Sequence, residues 1–181
     1  PFHFKAASDH AVLLGSDLLE IELTEAQQLI EAFNTHFLED ELTLFLGAAD
    51  RWYLKTVKPL QLNFNSIDYS LGRDIKHFMP QGEDALWWRK ILNEAQMLFF
   101  QHSVNQQRDE SRQLGINGLW IWDESFSSGV LSREYSTVYS DDAFARALAN
   151  KTGAKVKNIF DAEPQEHSVL VLDDVYEAVC Y

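Results

Sequence analysis

Residues 87–122 read WWRKILNEAQMLFFQHSVNQQRDESRQLGINGLWIW. This stretch decides the fold: an apolar helix, a polar loop, then an apolar strand with two tryptophans. At about 100° per residue, Trp88, Ile91, Leu92, Ala95, Phe99 and His102 fall on one helical stripe, the period of a core-facing helix. Leu86, Met97 and Phe100 lie well off that stripe, and only Lys90, Glu94 and Gln101 make a plainly wet face. A helix apolar on most sides is expected at the centre of its domain, packed by several elements. Arg89, Asn93 and Gln96 form a second stripe bracketed by Leu86 and Phe100. If buried, these groups need partners, because an unpaired buried polar group costs about 1–3 kcal/mol.

The following residues His102, Asn105, Arg108 and Asn117 are the nearest candidates. One reading is a structural network tying the loop 103–117 to the helix. The other is a ligand pocket formed by Arg89, Asn93, Gln96, His102, Asn105 and Asn117, for a small molecule or a protein partner. After the loop, Gly118–Trp122 reads as a strand with Leu119 and Ile121 on one face and Trp120 and Trp122 on the other. With both faces apolar, it is expected inside a sheet.

Outward from this centre, Phe2–Ala6 and His10–Leu14 predict a hairpin around Ala7, Ser8 and Asp9. Thr24 and Gln27 have the spacing of a capping box, starting a helix through Ala26, Leu29, Ile30, Phe33 and Phe37 to about Glu39. Leu42–Leu46 and Arg51–Lys55 predict a second hairpin around Gly47–Asp50. Pro59 argues against a central strand in Lys58–Phe64. Ser66–Leu71 predicts a short helix ended by Gly72, and Arg73–Gln81 an irregular connection. Beyond Trp122 the composition changes. Ser125–Gly129 is the natural boundary, giving a 1–124 core and a 125–181 portion. There, Ser136–Tyr139, a helix capped by Asp141 or Ser140 and closed by Gly153, Lys155–Phe160 and Val169–Leu172 predict a βαβ unit with parallel strands. The fold class is α+β to α/β: a mixed sheet with a central buried helix, then a βαβ-like portion.

Twelve Phe, six Tyr and five Trp in 181 residues exclude a disordered chain. Fifteen basic against 28 acidic residues give a net charge of −13, which disfavours nucleic acid and anionic lipid as partners. Apolar runs are too short for a membrane span. A lone cysteine, Cys180, and no signal peptide suggest a cytoplasmic protein. A proline at position 1 and an apolar end at Tyr181 suggest a piece of something longer.

Chemical motifs are sparse. His3, Asp9 and His10 would ligate Mn²⁺ or Zn²⁺ only if the hairpin turn brings the imidazoles together; surface histidines are the simpler reading. Asp173 and Asp174 follow an apolar strand, where α/β proteins often place metal-binding or catalytic carboxylates; a strand simply ending in solvent is the simpler reading. Gly72, Arg73 and Asp74 fit a turn with a local ion pair better than an anion site. There is no Gly-x-Ser-x-Gly, no phosphate-binding loop and no dinucleotide fingerprint.

Asn93-Glu94-x-Gln96-Met97-Leu98, His102-x-Val104-Asn105 and Asn117-x-Leu119-Trp120-x-Trp122 resemble the hallmark run of bacterial RpfE-type regulatory proteins. Pro1-x-His3, Asp9-His10, Arg51-Trp52, Gly72-Arg73-Asp74 and Met79-Pro80 fit the same pattern. The resemblance covers 1–122 well and the rest loosely. Ser103 stands where proline is usual, Gly118 where serine is common and Asp123 where glycine is usual. The family also carries the label of cofactor-independent phosphoglycerate mutase. That label implies an alkaline-phosphatase-like fold, two metal ions and a serine nucleophile. None of the six histidines shows the Asp-x₃-His-x₃-His spacing such a site needs, so no catalytic residue carries over. The expectation is a non-catalytic binding or regulatory domain without a cofactor. The alternative is a metal-dependent phosphoryl-transfer enzyme using His3, Asp9, His10, Asp173 and Asp174.

Overall fold

The computed structural model describes residues 1–6, 11–65, 67–122, 134–163 and 166–171. The chain divides into two compact units, Pro1–Glu124 and Ser125–Tyr181. Together they are of mixed α+β class.

The first unit begins with strands β1 (His3–Ala6) and β2 (Ala11–Leu14), antiparallel with Phe4 opposite Leu13 and Lys5 opposite Val12. Helix α1 follows over Leu23–His36. Its cap lies two residues ahead of the expected threonine: Glu22 is the N-cap, and its N–H donates to Glu25 Oε2 at 2.9 Å. The shift reflects what the cap carboxylate must also do, because Glu25 is tied to a buried arginine described below. Ala26, Leu29, Ile30 and Phe33 make the buried stripe of α1, and Phe37 closes the helix in the core. Strands β3 (Leu42–Leu46) and β4 (Trp52–Thr56) form the second hairpin, with Phe45 opposite Tyr53. A helical turn, α2 (Ile67–Ser70), ends at Gly72, whose φ of 68° is the left-handed region that glycine enters without strain. Asp74 caps the next turn by accepting from Lys76 N–H at 3.0 Å, and His77 lies 3.9 Å from its carboxylate. The Gly72-Arg73-Asp74 stretch is thus a capped turn.

Helix α3 spans Ala85–Gln101 and buries Trp88, Ile91, Ala95 and Phe99, the stripe set by the 3.6-residue period. The main core gathers these with Leu29, Phe33 and Phe37 and with Leu42 and Leu44 of β3. Trp52 meets Phe99 edge-on at 6.2 Å, tying the second hairpin to α3. Each fully buried Leu, Ile or Phe contributes about 1.5–3 kcal/mol of transfer free energy.

Two expectations fail beyond α3. The supposed loop starts as a helix, α4 (Ser103–Glu110). His102 ends α3 and caps α4, its Nδ1 accepting from Val104 N–H at 3.2 Å. Gly118–Trp122 is not a strand inside a sheet. Among the described residues it meets backbone at its start alone: Phe2 N–H donates to Gly118 O at 2.8 Å and Gly118 N–H to Phe2 O at 3.1 Å. The alternation of its side chains is nonetheless real. Leu119 enters the main core, whereas Trp120 enters a second cluster with Phe2 and Leu13. A Cβ at Gly118 would run into the Phe4 ring, so glycine permits this approach.

In the second unit, β5 (Thr137–Tyr139) lies between β6 (Lys155–Lys157) and β7 (Ser168–Leu170), parallel to both. Helix α5 (Ala143–Thr152) joins β5 to β6. Its N-cap is Asp142, accepting from Ala145 N–H at 2.6 Å; Ser140 instead accepts from Asp142 N–H at 3.0 Å. Gly153 ends α5 at φ 76°, the left-handed terminus read from the sequence. Val138, Ala149 and Ala154 form this unit's core. Among the described residues no helix is long and apolar enough to cross a membrane.

Candidate functional site

The six residues expected to form a pocket separate into an inward and an outward set. Asn105 is buried on α4, and both polar atoms of its amide are bonded. Its Nδ2 donates to Phe99 O at 2.7 Å and Ile116 O at 2.8 Å, and its Oδ1 accepts from Ile116 N–H at 2.7 Å. One side chain thereby joins the end of α3 to the segment after α4. Asn117 does the same for β1: its Oδ1 accepts from Phe4 N–H at 2.7 Å and its Nδ2 donates to Phe4 O at 3.2 Å. An amide side chain there replaces a peptide group of an absent neighbouring strand. His3 completes the seam, with Nδ1 2.7 Å from Gly115 O. His102 is half-buried and serves as a cap. Because Nδ1 accepts, the neutral ring carries its proton on Nε2.

Arg108 is the polar anchor of this inward set, and it was not among the six. Its side chain is 2% exposed. Nε donates to Leu114 O at 2.7 Å, Nη1 donates to Glu25 Oε2 at 2.6 Å, and Nη2 donates to Leu19 O. Glu25 is also the residue that caps α1, so one carboxylate orients both the helix start and the buried guanidinium. The signal was present in the sequence: Val104, Asn105 and Arg108 have the i, i+1, i+4 spacing of an inward helix face. The polar composition of 103–113 concealed it.

Arg89, Asn93 and Gln96 face the other way. All three are exposed, and among the described residues none makes a side-chain hydrogen bond or ion pair. They share the outer face of α3 with Leu86, Met97 and Phe100, which are 81%, 63% and 76% exposed. The structural network expected around the central helix therefore exists, but it is built from α4 and the 114–118 segment. The outer face of α3 carries Arg89 and Lys90 near its start; Lys90 pairs with Glu94 at 3.6 Å, and Glu94 also lies 3.7 Å from His36.

Two open surface grooves accompany this arrangement. One, of about 470 Å³, runs between α1 and the junction of α3 with α4, past Glu31, His36, Leu98, His102 and Ser103. The other, of about 490 Å³, lies against α1 beside Asn34, Leu38 and Leu46. Neither includes Arg89, Asn93 or Gln96.

Of the residues weighed as metal ligands, His3 has one ring nitrogen committed to Gly115 O. Asp9, His10, Asp173 and Asp174 lie outside the described residues. Among the described residues, no three His, Cys, Asp or Glu side chains are grouped to hold a metal ion.

No family model and no curated protein matches the chain. Among solved structures, it is similar to a cofactor-independent phosphoglycerate mutase from Thermoplasma acidophilum, with a TM-score of 0.46 and 14% identity. That match covers 89% of this chain and 47% of the other, so the chain spans about half the length of that neighbour.

Proposed function

We propose that the chain is a cytoplasmic, non-catalytic binding domain of RpfE-type regulatory character, and that the outer face of α3 meets its partner. The observation that carries this reading is the exposure of Leu86, Met97 and Phe100 around Arg89, Asn93 and Gln96, whose side chains have no partner among the described residues. Exposed large apolar residues gathered on one helix face mark interaction surfaces more often than solvated ones. The face lies outside both grooves, which favours a protein over a small molecule. Arg89 adds an uncompensated cation to a chain of net charge −13, so the matching surface is apolar with carboxylates at its rim.

Phe100→Glu and Arg89→Glu test the face directly. Both positions are exposed, so stability is expected to change by no more than about 0.5 kcal/mol. Partner capture by the full chain is expected to fall roughly tenfold for each, with the Arg89 effect shrinking at high salt. A partner retained at full strength by both variants removes the proposal.

The motif run between Asn93 and Trp122 supports a second reading, a phosphoryl-transfer enzyme of the cofactor-independent mutase type. It would take Mn²⁺ or Zn²⁺ on His3, Asp9, His10, Asp173 and Asp174. Of these, His3 holds Gly115 O with one ring nitrogen, and the other four lie outside the described residues. Melting curves separate the readings. On the first, neither ion moves the midpoint. A saturable rise of about 5 °C, as expected for an ion near ten times its Kd, would favour the second.

A further inference from the structure

Strand β4 pairs with β3 alone in a two-stranded sheet, which leaves it an outer edge. In the β3–β4 register, Gly47 N–H donates to Arg51 O at 3.0 Å across the turn. By the alternation of antiparallel ladders, Phe45 with Tyr53 and Thr43 with Lys55 then exchange the ladder bonds. The backbone groups of Leu42, Leu44 and Leu46 therefore point away from β4, and those of Trp52, Leu54 and Thr56 away from β3. On the β3 side Leu44 and the N–H of Leu42 are taken. Asn34 clamps Leu44, its Oδ1 accepting from the N–H at 2.6 Å and its Nδ2 donating to the carbonyl at 3.0 Å, while Leu42 N–H reaches Phe37 O at 3.4 Å. On the β4 side, among the described residues, no hydrogen bond reaches the outward N–H or C=O of Trp52, Leu54 or Thr56. Trp52 and Leu54 pack on the main core yet are only half-buried, so the core is open along this strand. One more strand would close it.

Charge selects the occupant. Residues 51–67 contain Arg51, Lys55 and Lys58 and no carboxylate, in a chain with 28 acidic residues. None of the three forms an ion pair among the described residues, and the buried Nε of Arg51 has no hydrogen-bond partner. A second copy paired edge to edge about Leu54 would set Lys55 diagonally beside its own counterpart, and a lysine at a strand edge discourages such pairing. We infer that β4 accepts an extended segment of another protein as an added strand, with carboxylates on its outer face beside Lys55 and apolar side chains turned toward Trp52 and Leu54.

Selection of a displayed library of random linear peptides against the full 181-residue chain tests this. The expected winners carry Asp or Glu at alternate positions among β-branched or aromatic residues. Binding of a winning peptide is expected to weaken roughly tenfold or more with Lys55→Glu, with Lys58→Glu, and with N-methylation of alternate peptide amides. Both lysines are exposed, and an unchanged melting midpoint confirms that each variant is folded. Absence of enrichment, enrichment of basic peptides, or winners indifferent to Lys55→Glu and to N-methylation would each overturn the inference. So would a concentration-dependent dimer of the full chain that Lys55→Glu abolishes, which would assign the edge to a second copy.

Discussion

Arg108→Ala is expected to destabilise the first unit by about 3–5 kcal/mol, the range for breaking one half of a buried ion pair. The guanidinium is held by Leu19 O, Leu114 O and the Glu25 carboxylate. Truncation leaves all three short of a donor and opens a cavity between α1 and α4. A typical domain is stable by about 5–15 kcal/mol, so the loss is a large share of the total. Urea unfolding followed by tryptophan fluorescence should show a lower midpoint with an unchanged slope. Arg108→Lys keeps the charge but not the planar fork, and one ammonium cannot serve three acceptors set around a guanidinium. It should recover only part of the loss. Glu25→Gln combined with Arg108→Met separates geometry from charge: removing both charges together should cost less than the sum of the single changes. A loss below about 1 kcal/mol for Arg108→Ala would mean that water replaces the arginine, and that it does not tie α1 to α4.

The elements that were readable in advance are those whose period alone determines them. Trp88, Ile91, Ala95 and Phe99 repeat every three or four residues, and any helix carrying them must turn that stripe inward. The two hairpins follow from short β-rich runs separated by turn residues, and Gly153 marks a left-handed helix end that few other residues tolerate. Other features depend on what covers what. Leu86, Met97 and Phe100 look like core residues on a wheel, but no described element packs over that face of α3. Arg89, Asn93 and Gln96 lie between them and stay outside with them. Gly118–Trp122 has the composition of a strand, yet a strand needs a run of backbone beside it. Here Asn117 supplies one pair of bonds from its side chain, and Phe2 supplies the other. Polar residues misled most at α4. A helix of mostly polar residues is read as a loop unless its few inward positions are recognised as polar anchors.

The same distinction separates the two kinds of polar residue in this chain. Asn34, Asn105, Arg108 and Asn117 each bind backbone that ordinary secondary structure leaves over, so their substitution should affect folding. Among the described residues the side chains of Arg89, Lys55 and Lys58 bind no backbone, so their substitution should affect association. Stability and capture measured on the same panel of variants would test this division, because each variant is assigned one phenotype and not the other.

Asn105→Ala is the second large effect expected, a loss of about 3 kcal/mol, from leaving buried backbone groups without partners. The amide donates to Phe99 O and Ile116 O and accepts from Ile116 N–H, so both main-chain groups of Ile116 lose their partner and Phe99 O keeps only His102 N–H. Few residues can substitute. Leucine has the bulk but no polar atom. Aspartate has the shape and the acceptor for Ile116 N–H but, when ionised, no donor for the two carbonyls. Asn105→Asp should therefore be at least as damaging as Asn105→Ala at neutral pH. Two carbonyl oxygens beside a carboxyl group favour its protonated form, so its folded-state pKa would stand above the unfolded value. A group raised in this way stabilises the fold at low pH and loses that contribution as pH rises, so the deficit of Asn105→Asp should shrink toward pH 4 relative to Asn105→Ala. Amide exchange at Ile116 gives a local readout. Its N–H, protected by Oδ1 in the parent chain, should exchange faster in Asn105→Ala even under conditions where the variant remains folded. Unchanged protection at Ile116, with a stability loss under about 1 kcal/mol, would show that Asn105 is not what ties the end of α3 to the segment after α4. Asn105 would then be free to contribute to a binding site.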